Sequence, residues 1–113
     1  MAQKERKYPR AKPIIEIKVL SLNGVIIMGR LLDVSEGGAK IGIDMAPHYA
    51  IGNEINIAFM LSDPESARRN PIFARGIVAW LKADPNSSEV GLKFEEILPS
   101  HQKRIREFVN LLH

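Results

Sequence analysis

The feature that most narrows the folds open to this chain is its hydrophobic period. Between Ile15 and Phe94 the apolar residues recur at every second position in short runs broken by Gly, Pro and Asn, and only beyond Pro99 does the spacing become helical. Ile15, Ile17 and Val19 alternate with Glu16 and Lys18, which reads as a half-buried strand. Asn23-Gly24 follows, a strong hairpin signal. Val25 to Asp33 reads as a second strand, in which Gly29 marks a bulge or bend. Ser35-Glu36-Gly37-Gly38 breaks that run, and Ala39, Ile41 and Ile43 form a third strand. Ile55, Ile57, Phe59 and Leu61 make a fourth, Phe73 to Leu81 a fifth and Val90 to Phe94 a short sixth, with Asp84 to Ser88 as a turn. Residues 62–71, polar and bounded by prolines, read as a long surface loop in which Arg68 and Arg69 are solubilising. In the tail Ile105, Phe108, Val109 and Leu112 share one helical face, with Ser100 as the expected N-cap. Short antiparallel strands closed by one helix predict a small, mainly β barrel with a C-terminal α-helix packed on it.

Composition enters as a set of exclusions. At 113 residues, 45% apolar and 26% charged, the chain is expected to be one domain. It has no cysteine, so disulfides and thiolate chemistry are excluded. No apolar run reaches the roughly 18–20 residues of a membrane span, and no apolar segment backs the basic N-terminus as in a secretory signal; a cytoplasmic protein is expected. His48, His101 and His113 lack metal-ligand spacing and read as surface residues. There is no phosphate-binding glycine loop and no hydrolytic triad, so an enzyme is not expected.

Charge is distributed unevenly. Lys4, Arg6, Lys7, Arg10 and Lys12 stand against Glu5 alone, so residues 1–12 carry +4 while the other 101 carry −1 of the net +3. Pro9 and Pro13 oppose a helix there. The expectation is a flexible basic arm over residues 1–12 attached to a near-neutral barrel over 13–113, meeting an anionic partner. A near-neutral body with 6% aromatic residues disfavours DNA or RNA.

Two spacings carry the chemistry. Arg6-x-x-x-Arg10 lies in the arm, and Asp33-x-Ser35-x-x-Gly38 lies at a strand break, with 22 residues between Arg10 and Asp33. In that order on a β-barrel scaffold, the chain resembles the PilZ domain family. Asp33-Val-Ser-Glu-Gly-Gly-Ala39 matches the family's signature segment, Arg75-Gly-Ile-Val-Ala-Trp80 its late strand and Gly91-Leu-Lys-Phe94 the strand after it, and the closing helix falls where the family places one. The resemblance implies a six-stranded antiparallel, split-barrel-like fold and a receptor for the bacterial second messenger cyclic di-GMP, with motility, exopolysaccharide or biofilm control as its setting. Its implied ligand-binding residues are Arg6, Arg10, Asp33, Ser35 and Gly38, with Lys7, Gly37, Arg75 and Trp80 as possible further contacts and no metal or cofactor beyond the ligand.

The chemistry fits that ligand. Arg pairs with phosphate and with guanine O6 and N7. Asp33 offers an acceptor for guanine N1–H and N2–H, and Gly38 allows close backbone approach or positive φ. Trp80 is expected in the core or against the helix, with stacking on guanine as the alternative. A ligand-dependent surface for an unidentified effector protein is the expected output, through ordering of the arm. The other reading is a PilZ-like protein–protein adaptor in pilus or motility assembly that binds no nucleotide. In the family it resembles, an extra Arg just before the first signature Arg favours a stacked ligand pair, so the resemblance implies that Glu5 in that place favours one bound ligand.

Overall fold

A computed structural model of the chain describes residues 15–21, 24, 26–43, 49–84 and 87–112. The period-2 runs become strands β1 (Ile15–Ser21), β2 (Ile26–Ser35), β3 (Gly38–Ile43), β4 (Glu54–Phe59), β5 (Ile72–Asp84) and β6 (Ser87–Ile97). One helical turn, α1 (Pro64–Ala67), precedes β5, and α2 (Pro99–Leu112) ends the chain. Alternation puts Ile17 and Val19, Ile41 and Ile43, and Ile55, Ile57 and Phe59 on one buried face. A sheet with one such face must cover it, and this one curls on itself. The strands pair antiparallel in the order β1-β2-β3-β6-β5-β4, and β1 also pairs with β4 to close the barrel. Closure leaves no unpaired sheet edge. Ile105, Phe108 and Val109 of α2 join the same core, as their helical spacing requires. The side chain of Leu112, placed on that face by the sequence, lies outside the described residues.

Several local expectations are corrected. Gly29 sits in a regular pair with Ile17. Its missing side chain instead admits the Gly42 carbonyl, which a Cβ would meet at 2.8 Å. The hairpin glycine, Gly24, has φ of 83° as a primed turn needs, while Asn23 lies outside the described residues. Ser87 and Ser88 belong to β6 rather than to a turn, because Asp84 pairs directly with Ser87. Ser100 lies inside α2 rather than capping it. Pro99 opens the helix, where its missing N–H costs nothing, and the Leu98 carbonyl accepts from the N–H groups of His101 and Gln102 at 2.9 Å each.

The largest departure is the 62–71 segment. Asp63 caps α1 by accepting from the Ser66 N–H at 2.8 Å. The Arg104 guanidinium of α2 then grips the Asp63 carboxylate with two bonds, at 2.9 and 3.0 Å, and donates to Ser66 Oγ at 2.8 Å. Ser66 Oγ also accepts from the Leu61 N–H at 3.0 Å. A polar loop thus hides a buried ionic clasp that fixes α2 to the end of the barrel. Arg68 and Arg69 do remain exposed. No helix among the described residues is long and apolar enough to cross a membrane.

Candidate functional site

The site begins with two register errors. In β2, Leu31 pairs with Ile41 and the next paired residue is Asp33, opposite Lys40, so Leu32 is an extra residue. In β5, Val78 pairs with Leu92 and the next is Trp80, opposite Gly91, so Ala79 is extra. Residues opposite one another in a sheet point to the same face. Leu31 and Ile41 point inward and are fully buried. Lys40 follows Ile41's neighbour position outward, and Asp33, its partner, goes outward too. Without the bulge, Asp33 would point into the core beside Leu31. The same reasoning turns Trp80 out of the core that holds Val78. Bulges re-aim side chains in this way.

Two outward rows result. One runs Asp33, Lys40, Gly91, Trp80 across β2, β3, β6 and β5. The next runs Ser35, Gly38, Lys93, Ile77. The glycines leave a hollow in the middle of both rows. The Trp80 indole fills part of it, lying against Gly91 so closely that a Cβ there would fall 2.1 Å from Nε1. Asp33, Gly37, Gly38, Lys40, Trp80 and Lys93 are among the residues lining a cleft of about 440 Å³, a size suited to a small-molecule ligand.

The β2–β3 turn that forms one wall is held from three sides. Ser35 Oγ accepts from the Gly37 N–H at 3.3 Å. The Gly37 carbonyl accepts from the Phe94 N–H at 2.9 Å. Glu36 receives Arg106 Nε on its carboxylate at 3.0 Å and Gln102 Nε2 on its carbonyl at 3.4 Å. The wall is therefore tied to β6 and α2 before any ligand arrives.

Of the residues singled out in the sequence, Asp33, Gly37, Gly38 and Trp80 meet in this cleft. Ser35 is buried in the adjoining turn. Trp80 is not in the core but 42% exposed on the outer face. Arg75 lies elsewhere. It pairs with Glu96 at 3.3 Å and Glu54 at 3.7 Å and lines a separate hollow with Phe73 and Pro99. His101 accepts from the Phe73 N–H at 3.1 Å beside that hollow. Glu5, Arg6, Lys7 and Arg10, as well as His48 and His113, lie outside the described residues. Among the described residues, no cluster of three metal-ligating side chains occurs.

Gly37 and Gly38 do not form the bulge, and neither has positive φ; among the described glycines, Gly24 and Gly52 do. Gly38 is required for a different reason. A Cβ there would lie 2.2 Å from the Leu92 carbonyl oxygen, a backbone atom with no freedom to retreat. Gly38→Ala is expected to cost about 1–3 kcal/mol by prising β3 from β6, read as a lowered urea midpoint without ligand. An unchanged midpoint would contradict that packing role.

Lys40 and Lys93 were not singled out by the sequence reading. Each reads alone as an ordinary outward residue in an alternating strand, and only the β3–β6 register brings them together.

Comparison with known proteins agrees with this architecture. The family model described as the PilZ domain matches residues 4–111. No curated protein matches the chain. Among solved structures, the Bacillus subtilis inhibitor of motility MotI/DgrA superposes with a TM-score of 0.80 at 16% identity, over 95% of this chain and 50% of that one. The PilZ domain of Escherichia coli YcgR with c-di-GMP gives 0.74 at 14% identity, over 96% and 91%. The K. pneumonia MrkH–c-di-GMP complex gives 0.74 at 16% identity, over 96% and 51%. The chain thus spans about half the length of the MotI/DgrA and MrkH chains, and at these identities the likeness is one of fold.

Proposed function

Because this chain belongs to the PilZ domain family, we propose that it is a receptor for cyclic di-GMP, bound in the cleft between Asp33 and Trp80. The observation that carries the reading is the pair of bulges at Leu32 and Ala79. They turn a carboxylate and an indole out of the core onto one glycine-floored surface. A guanine fits such a surface. Its N1–H and N2–H donate to a carboxylate, and its face stacks on an aromatic ring. The YcgR and MrkH structures that share the fold contain c-di-GMP, which supports the same ligand here.

The rest of the site is assigned to the N-terminal segment. In this reading Arg6 and Arg10, with Lys7 beside them, clamp phosphate and the guanine Hoogsteen edge from the side opposite Asp33 and Ser35. Ligand then fastens the segment across the barrel and changes the surface offered to an effector protein. In this reading the site binds: arginine, carboxylate and indole hold the dinucleotide.

Calorimetric titration with cyclic di-GMP, against cyclic di-AMP as control, tests the ligand. Trp80 is the chain's one tryptophan, so its emission reports the cleft in the same samples. Saturable binding of cyclic di-GMP alone, near one ligand per chain and with altered emission, is expected. Absence of binding, or equal binding of cyclic di-AMP, would overturn the assignment. Hydrogen exchange over residues 1–12 tests the clamp: slower exchange with ligand is expected, and unchanged exchange at saturation refutes it.

A further inference from the structure

We infer that Lys40 and Lys93 form a second cationic element, built into the barrel wall, that holds the phosphodiester groups of the ligand independently of the N-terminal arginines. The inference rests on the cyclic di-GMP reading and adds residues to it. Lys40 stands opposite Gly91, and Lys93 stands opposite Gly38. These are successive outward pairs of one ladder, so the two lysines lie diagonally across a patch where Gly38 carries no side chain and the Trp80 indole overlies Gly91. Diagonal neighbours of this kind are about 7–8 Å apart at the backbone, within reach of two four-carbon side chains converging on one anion or on two adjacent ones.

Three further observations point the same way. Both lysines line the cleft that holds Asp33 and Trp80. Neither has an ion-pair partner among the described residues, whereas Arg68, Arg75, Arg104 and Arg106 are each paired with a carboxylate. The strands that carry them are fixed by the barrel ladder, so little backbone order has to be gained on binding. A dianionic dinucleotide laid along the row would place a guanine between Asp33 and Trp80 and its phosphates within reach of the two ammonium groups.

The division of labour has a consequence. On that reading the N-terminal segment supplies arginines and the wall supplies lysines, so loss of either set leaves a weaker but still ligand-responsive site. The wall also accounts for selection against neutral nucleosides, since a guanine without phosphates would use Asp33 and Trp80 but leave both lysines idle.

The test uses the full chain with Lys40→Gln, Lys93→Gln, the double variant and, as control, Lys103→Gln, an exposed position on α2 that does not line the cleft. Cyclic di-GMP affinity is measured by calorimetry at low and high salt, and folding by urea unfolding. About tenfold weaker binding is expected for each cleft lysine, the scale of one charge-assisted hydrogen bond. The double variant should also show a smaller loss of affinity on raising salt. Urea midpoints and the Lys103→Gln affinity should match the unsubstituted chain. Unsubstituted binding with both lysine variants within about twofold of it overturns the lysine assignment alone. An unsubstituted chain that fails to bind cyclic di-GMP overturns the ligand reading and the lysine assignment together.

Discussion

Arg104→Ala is expected to lower the free energy of unfolding by about 3–5 kcal/mol. Arg104 and Asp63 keep side-chain exposures of only 9% and 14%. Removing the guanidinium strands the carboxylate in a poorly solvated place and takes a donor from Ser66 Oγ. It also releases α2 from the 61–66 segment, since both bonds to Asp63 and the bond to Ser66 come from this one residue. Burial by itself would raise the Asp63 pKa. Hydrogen bonds from the Arg104 side chain and from the Ser66 side chain and N–H, together with the Arg104 charge, outweigh it and hold the carboxyl below its ordinary value of 3.8. The sign of the pH effect follows. A carboxyl with a depressed folded pKa stabilises the fold at pH above its unfolded value, and that contribution is lost as pH falls from there through the folded value. Urea unfolding should therefore show a flat plateau above about pH 5 and a decline below about pH 4, with this part of the decline missing in Arg104→Ala. A variant as stable as the parent, or one with the full acid slope, would show that the clasp contributes nothing.

That clasp also shows where a sequence stops being informative. The barrel was legible because burial on one sheet face writes a period of two into Ile15–Val19, Ala39–Ile43 and Ile55–Leu61, and the helix because Ile105, Phe108 and Val109 keep a period near four. Both are local patterns. Asp63 and Arg104 are 41 positions apart, and nothing local distinguishes a capping Asp from a solvated one. The bulges are a subtler case. Leu31 and Val34 both point inward, as do Val78 and Leu81, so the inward spacing slips from two to three at each. That slip is written in the sequence, but a reading by uniform alternation passes over it and leaves Trp80 in the core. Asp33, Ser35 and Gly38 were legible as a motif, yet their separate roles were not. Gly38 answers to the Leu92 carbonyl on a strand more than fifty residues away. For Arg75, a strand position says which face the cation takes, not whether Glu54 and Glu96 flank it there.

Asp33→Ala is expected to weaken cyclic di-GMP binding by at least about a hundredfold, because a bidentate carboxylate–guanine contact is the kind of charge-assisted pair in which each hydrogen bond contributes about 1.5–3 kcal/mol. The bulge at Leu32 is what exposes that carboxylate to a ligand at all, while leaving the residue only 4% accessible. A ligand therefore meets a carboxylate that is already largely stripped of water and set by the ladder in one position, and little of the gain is spent on ordering it. Asp33→Asn separates charge and acceptor from mere shape. Asparagine fills nearly the same volume and keeps one carbonyl acceptor, but it loses the charge and sets an amide N–H against the second guanine donor, so it should bind between alanine and the parent. If Asp33 served only to brace the β2–β3 turn, Asn would restore binding and Ala would lower the urea midpoint. Calorimetry and Trp80 emission on both variants, alongside urea unfolding, distinguish the cases. Affinity within about threefold of the parent in Asp33→Ala, with emission still responding to ligand, would remove Asp33 from the site, and with it the contact that gives the cleft its preference for guanine over adenine.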